Sequence, residues 1–397
     1  MSNKIRINML PAEEGDCFLI SCGAGEEKVN ILIDGGRSNT YTEQLFPILS
    51  NMHKKGEKID LLIVTHIDQD HIQGIIRLLE KNESSSMPVV ISISQIWHNA
   101  YLQLQFDRSE ELTEHQIQIV EEIVARGDGE RDQARHEISY RQGSTLGALL
   151  YEGGYQWNVA SHGRAISREN LESFCLSDEV KIDLISPTNR KLEELAEEWL
   201  KHLENQNYMG KPGSGTLFND AYEMMLLREK DKKKRRKTAI LCRIEEWEDY
   251  LQEKIYEDKS AANGSSIAFV LTFKEKRILY LGDAHPSVIV ENLDKLYKDH
   301  ETQPYYFDAI KIAHHGSAGN TTSSLIERME SPIYLISTNG KNEHPDLNTL
   351  IRIVERKSAS RELVFNYSTP SEVYMSKQKE KQSELGFKTM IKNYIEI

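Results

Sequence analysis

A nearly uniform apolar run, IDLLIV (59–64), ends directly in THIDQDHIQG (65–74), which carries two histidines and two aspartates within six residues. A strand of that composition is buried on both faces, so it belongs inside a layered structure that covers it from two sides. The polar loop at its C-terminal end is then held by rigid backbone and can aim short side chains at one point. A solvated turn that caps the next helix, expected over 72–81, would use one carboxylate. That role leaves His66, His71 and a second aspartate over, and the cluster reads as a metal loop.

Imidazole nitrogen mixed with carboxylate oxygen suits Zn²⁺, Mn²⁺ or Fe²⁺ better than the all-oxygen shell of Ca²⁺ or Mg²⁺. His66, Asp68, Asp70 and His71 do not easily close one tetrahedron, because adjacent residues point apart; two metals are the natural solution. Further ligands, a bridging carboxylate among them, must come from elsewhere. Three other strand ends offer them: LGDAHP (281–286) with Asp283, KIAHHGS (311–317) with His314 and His315, and GKNEHP (340–345) with His344. Taken singly, Asp283 reads equally as a helix cap and His344 as a turn residue. Their repetition at strand ends is what points to a shared site.

The flanking segments supply a framework. Short β-type runs separated by Gly and Pro fall at 4–10, 16–21 and 29–34, a helix is expected over 42–53, and a further strand over 89–97. From about 100 to 260 the pattern turns helical and charged, with helices expected at 112–125 and 191–205 and a basic run at 228–237. After 262 strands return at 266–273, 277–281, 309–313, 333–337 and 363–367, with helices at 286–299, 323–329 and 347–357. Two strand-rich halves flanked by helices suggest a layered α/β/β/α arrangement.

Composition narrows the class. The chain has 397 residues, 28% charged and 39% hydrophobic, within the range of ordinary globular proteins. It has no apolar stretch of about 20 residues, and MSNKIRINMLP at its start lacks a signal-peptide pattern, so a cytoplasmic location without a membrane partner is expected. Cys17, Cys22, Cys175 and Cys242 are scattered and read as reduced thiols. A formal net charge of −13 argues against broad nucleic-acid binding. It leaves a phosphodiester substrate open, because metal ions bring their own positive charge.

Together, HxDxDH at 66–71, LGD at 281–283, HHGS at 314–317 and HP at 344–345 resemble the metallo-β-lactamase fold. The likeness is to the branch that includes the DNA-processing domain of ComEC competence proteins and bacterial phosphorylcholine esterases. It covers about 1–100 and 262–370, and DGG (34–36) preceded by GD (15–16) is similar to that fold's opening hairpins. The resemblance implies an α/β protein, a four-layer αββα sandwich: residues 1–100 as its first half, 101–261 as a mainly helical insertion or cap, and 262–397 as its second half.

It also implies a dinuclear centre holding two divalent ions, Zn²⁺ or Mn²⁺. His66 and Asp68 would bind one, Asp70 and His71 the other, Asp283 would bridge, and His314 or His315 would complete the second site. Asp34 would support the metal loop without binding metal. The family's middle histidine corresponds to His98, at the end of a strand, or to His162 in the inserted region. Whichever of His314 and His315 does not ligate would contact the scissile group with His344; Asn99 is a further candidate to face substrate, and Asn263, Ser265 and Ser266 to brace the site.

The expected chemistry is hydrolysis by metal-activated water, with Asp70 and Asp283 holding the geometry and accepting the proton and His344 as general acid or electrostatic support. The expected substrate is a phosphodiester, either a small one or a nucleic acid engaged through the cap, whose run 232–237 is all Lys and Arg. The competing expectation is a metal-dependent peptidase, amidase or other effector that acts with a partner protein bound through the insertion, in a bacterial defence or stress system.

Overall fold

The computed structural model describes residues 4–104, 114–115, 118, 146–205, 246–298, 303–356 and 360–397. The chain opens with three antiparallel strands, β1 (Ile5–Met9), β2 (Phe18–Cys22) and β3 (Val29–Ile33), after which β4 (Leu61–Ile63) lies parallel to β3 and β5 (Ile96–Trp97) parallel to β4. Next come β6 (Ser173–Cys175), β7 (Val180–Ser186), β8 (Ala268–Phe273) and β9 (Lys276–Tyr280), an antiparallel series. A short parallel pair, β10 (Tyr305–Tyr306) and β12 (Met329–Glu330), flanks β11 (Ala309–Lys311), and β13 (Ile333–Ile336), β14 (Arg361–Phe365) and β15 (Phe387–Ile391) extend the sheet in parallel. The last strand, β16 (Tyr394–Glu396), pairs with β1.

Among the described residues these strands make a six-stranded sheet, ordered β16-β1-β2-β3-β4-β5, and an eight-stranded one, ordered β15-β14-β13-β11-β9-β8-β7-β6. The two-residue period of a strand sorts the core into layers. Ile31, Ile33, Leu61 and Ile63 share an apolar cluster with Phe269, Leu271 and Tyr280 of the other sheet. Their neighbours Leu32 and Leu62 point the opposite way, onto Leu49 of the helix Phe46–Lys54 and Ile72, Ile75 and Leu79 of the helix Gln69–Asn82. Val270, Leu279 and Ile310 likewise turn outward onto Ile289 and Leu293 of Pro286–Tyr297 and Leu350 and Val354 of Leu347–Glu355. The result is the expected four-layer αββα sandwich, and each fully buried aliphatic or aromatic side chain in it contributes about 1.5–3 kcal/mol.

Three segments differ from their sequence reading. The strand expected over 89–97 shrinks to β5 and an isolated bridge from Ile59 to Ile93. Within 101–261, expected as a mainly helical cap, β6 and β7 are strands of the second sheet, and β7 pairs along β8 from Val180 to Ser186. VKIDL (180–184) alternates apolar and polar, a strand signal passed over in a region read as helical, and Ile182, Leu184 and Ile185 are all buried. The tail beyond 370 closes both sheets, because β15 edges the second and β16 the first. Most of the helix expected over 112–125 and the whole basic run 228–237 lie outside the described residues. No described helix is long and apolar enough to cross a membrane.

Candidate metal centre

The helix Gln69–Asn82 starts inside the polar loop, which places Asp70 and His71 on its first turn. Asp68 occupies the N-cap position with extended backbone but makes no side-chain capping bond. Its Oδ2 stands instead 3.1 Å from His66 Nε2. Two close approaches fix this turn. The Gly35 and Gly74 amides donate to the carbonyls of His71 and Gly36, and a Cβ on Gly74 would sit 1.9 Å from the Gly35 oxygen. Gly15 lies so near the Asp70 carbonyl that a Cβ there would approach it to 1.7 Å, and the Asp16 amide donates to that same oxygen.

Each histidine of the site has its Nδ1 engaged. Asp34 accepts from the Thr65 amide at 2.8 Å, from the Thr65 hydroxyl at 2.7 Å and from His71 Nδ1 at 2.8 Å. Because that hydroxyl gives its proton to Asp34, its oxygen accepts from His66 Nδ1 at 3.1 Å. His315 Nδ1 donates to the Ser337 carbonyl at 2.7 Å, and His314 Nδ1 lies 2.8 Å from Asn320 Oδ1. His314 and His315 both have positive φ, 44° and 54°. A non-glycine residue held there costs on the order of 1–3 kcal/mol, and such residues cluster where a side chain must be aimed.

The Nε2 atoms all face one oxygen. Asp283, delivered by the end of β9 and held by a hydrogen bond from its amide to Ser266 Oγ, places Oδ2 3.6 Å from His66 Nε2, 3.5 Å from His71, 3.6 Å from His314 and 4.0 Å from His315. His315 Nε2 is also 3.7 Å from Asp70 Oδ2. The donor atoms of His66, His71 and Asp283 lie within 4.8 Å of one another, as do those of Asp70, His71 and His315. Burial opposes charge at His71, yet Asp283 and Asp34 raise it well above its ordinary value, and Asp16 and Asp283 raise His315 above its own. Asp283, despite its burial, is held well below the usual carboxylate range by His314, His71 and His315. Burial pushes His314 down to about 4, with His344 and His315 adding repulsion and Asp283 opposing.

Sequence reasoning passed over the group behind this ring. Lys311, with no exposed surface, pairs with Asp16, donates to the Gly282 carbonyl at 3.3 Å and lies 3.9 Å from Asp283 Oδ1. Tyr280 donates its hydroxyl to Asp16 at 3.2 Å. The signal was present: AIKIA (309–313) sets a lysine inside an apolar strand, and a buried ammonium requires a carboxylate partner.

The remaining expected residues divide. His344 comes close, its ring centroid 5.1 Å from that of His314. Ser266 braces Asp283 as described, Asn263 donates to Asp258, and Ser265 only closes its own turn on the Ala262 carbonyl. Asn99, expected to face substrate, has its amide engaged by backbone. Its buried amide clasps the Ile166 backbone, donating to the carbonyl and accepting from the amide, each at 2.8 Å. His98 is fully buried one strand over from the metal loop, stacked on Trp157, and is in none of the close donor groups among the described residues. His162 is exposed in a left-handed turn.

The donor set suits a divalent cation. His71 Nε2 and His315 Nε2 are buried and make no hydrogen bond, although each faces a carboxylate. Buried polar nitrogens are left so only where another partner belongs. Comparison with known proteins agrees with this. Residues 10–132 match the family model of the metallo-beta-lactamase superfamily, and the αββα sandwich is that family's fold. Among curated proteins none matches the chain. Of the solved structures, a CmlA beta-hydroxylase mutant aligns over 100% of this chain and 54% of its own at 11% identity and a TM-score of 0.34. The chain therefore spans about half the length of that structure.

Proposed function

We propose that this chain is a dinuclear metal-dependent hydrolase that acts on a phosphodiester. The observation that carries the reading is the convergence of four imidazole Nε2 atoms on Asp283 Oδ2 while the four Nδ1 atoms are bonded elsewhere. At 3.5–4.0 Å these nitrogens stand too far from the carboxylate oxygen for ordinary hydrogen bonds, and a cation between them would satisfy both. Asp16, Asp34, Asp68, Asp70 and Asp283 are five carboxylates against one ammonium, Lys311, within this linked network. With the histidines neutral, as ligation requires, the excess of four negative charges equals the charge of two divalent ions.

The ligand sets follow from the pairings. His66, Asp68 and His314 would hold one ion, and Asp70, His71 and His315 the other, with Asp283 shared. Both histidines of the HHG loop are then ligands, one for each ion. Zn²⁺ and Mn²⁺ are the favoured occupants, because Asp68 brings a hard oxygen to a nitrogen-rich set. Two such ions lower the pKa of a water and stabilise charge on a phosphoryl or carbonyl oxygen.

The chain's own groups then do the rest. Asp70, part-exposed, accepts the proton of the attacking water, and Asp283 fixes the spacing of the two halves. His344, beside His314 and on the open side of the loop, gives a proton to the leaving oxygen or neutralises it. A phosphodiester is favoured because the motif likeness is to a branch that handles phosphate esters.

The test is metal content by elemental analysis with hydrolysis of bis-p-nitrophenyl phosphate, for wild type and Asp70→Ala. About two ions per chain and turnover that the substitution abolishes are expected. Metal without diester turnover, but with cleavage of an ester or amide substrate, would overturn the phosphodiester assignment. A chain that takes up no metal would overturn the centre itself.

A further inference from the structure

We propose that Asp258 is a positioning residue for His314: by locking the Asn320 amide in one orientation, it makes His314 present Nε2 to the metal centre. The geometry stands by itself; the consequence for metal rests on the reading above.

Asp258 lies on the strand-free segment between the helices Trp247–Gln252 and Ala261–Gly264, where its amide donates to the Gly319 carbonyl at 3.0 Å. Its Oδ1 accepts from the Ser260 amide at 3.0 Å. Its Oδ2 accepts from Asn263 Nδ2 at 2.6 Å and Asn320 Nδ2 at 3.0 Å. Asn320 Nδ2 also donates to the Asp283 carbonyl at 3.0 Å. An ionised carboxylate and a backbone carbonyl only accept, so the NH₂ of buried Asn320 must be on their side. Flipping the amide would set its oxygen against two other oxygens.

The Asn320 oxygen is thereby forced toward His314 Nδ1, 2.8 Å away. That nitrogen must be the donor, so a neutral ring carries its proton on Nδ1 and keeps the Nε2 lone pair for the position 3.6 Å from Asp283 Oδ2. Asn263 Nδ2, at 3.4 Å from the same Nδ1, is already committed to Asp258 at 2.6 Å.

The need for such a lock is particular to His314. Its side chain is 26% exposed against 0% for His66 and His71 and 2% for His315. Burial alone therefore does less to select the tautomer of this ring than of the other three. The other three are fixed by Asp34, Thr65 and Ser337, which lie within two residues of the ends of strands of the two sheets. His314 is fixed through a residue that belongs to neither sheet.

The experiment is long-range ¹H–¹⁵N correlation of the histidine side chains in the metal-free full chain at neutral pH, with His314 assigned by His314→Gln, together with Zn²⁺ titration by calorimetry. Wild type is expected to show His314 protonated on Nδ1. Asp258→Ala is expected to give a mixture of tautomers and to weaken one of two Zn²⁺ ions about tenfold to a hundredfold. Asp258→Asn, which keeps an accepting oxygen, is expected to restore part of both. A wild-type ring protonated on Nε2 would overturn the proposal without any variant, even where Asp258→Ala failed to fold. So would an Asp258→Ala protein with unchanged tautomer and affinity. A chain that bound no Zn²⁺ but showed the Nδ1 tautomer would sink the metal reading and leave the positioning intact.

Discussion

The parallel strands β11, β13 and β14 carry buried charge at both ends, and the two ends resolve it in opposite ways. At the N-terminal end Glu330 precedes β13 and Arg361 begins β14. Arg361, with no exposed surface, grips Glu330 bidentately through Nε at 3.0 Å and Nη2 at 2.9 Å, while Nη1 donates to the Arg356 carbonyl at 2.8 Å. Arg356 closes the other side of the same carboxylate. Every charge there meets an opposite charge from the chain itself. At the C-terminal end Lys311 meets Asp16 and Asp283, while Asp34, Asp68 and Asp70 stand beside His71, His66 and His315. One end is finished by folding; the other is left wanting cations, which is what a site that recruits metal requires.

The largest expected effect breaks the wanting end. Asp283→Asn should cut metal content below about two per chain and lower hydrolysis by more than the tenfold to hundredfold that outer-shell residues cost. The metal-free variant should also be less stable than metal-free wild type, because the ionised Asp283 that His314, His71 and His315 favour is gone. Denaturant unfolding in chelator reads this, and a metal-free variant as stable as wild type would show that Asp283 gains nothing from those histidines until metal is bound. Arg361→Met addresses the finished end. Removing one partner of a buried pair costs about 3–5 kcal/mol, so Tm should fall steeply while metal per folded chain stays the same. A loss of metal in that variant would mean the two ends are not independent.

The wanting end was also the more legible one. A site that recruits a ligand concentrates unusual residue types on short loops, and HxDxDH, Asp283 and HHG stand out from any apolar pattern. All of them fall at strand ends on one side of the sandwich, as expected. Groups that satisfy those residues are ordinary in isolation. Asn320 reads as one more polar loop residue, and Ser337 acts through its backbone carbonyl, which no side-chain pattern reports. The finished end was invisible for the same reason: Glu330 lies 26 and 31 residues before Arg356 and Arg361, and all three look like surface charges until the strands bring them together. Strands followed this rule too. Those with both faces covered, such as β4 and β8, announced themselves, whereas the part-exposed edge strands β6, β15 and β16 did not.

The smallest expected effect sharpens the contrast through pH. Burial would raise the Glu330 carboxyl, but Arg361 and Arg356 hold it below its ordinary 4.5. A depressed carboxylate contributes stability that is present above its unfolded value and is lost as pH falls through the folded one. The gap in unfolding free energy between wild type and Arg361→Met should therefore be constant at neutral pH and narrow as pH drops below about 4.5. The measurement belongs in metal-free protein, where the carboxylates of the other end titrate equally in both chains and cancel in the difference. A gap that persisted unchanged into the acid-unfolding region would mean that Arg361 stabilises through its packing and its bonds to backbone carbonyls, and that the ion pair with Glu330 adds little of its own.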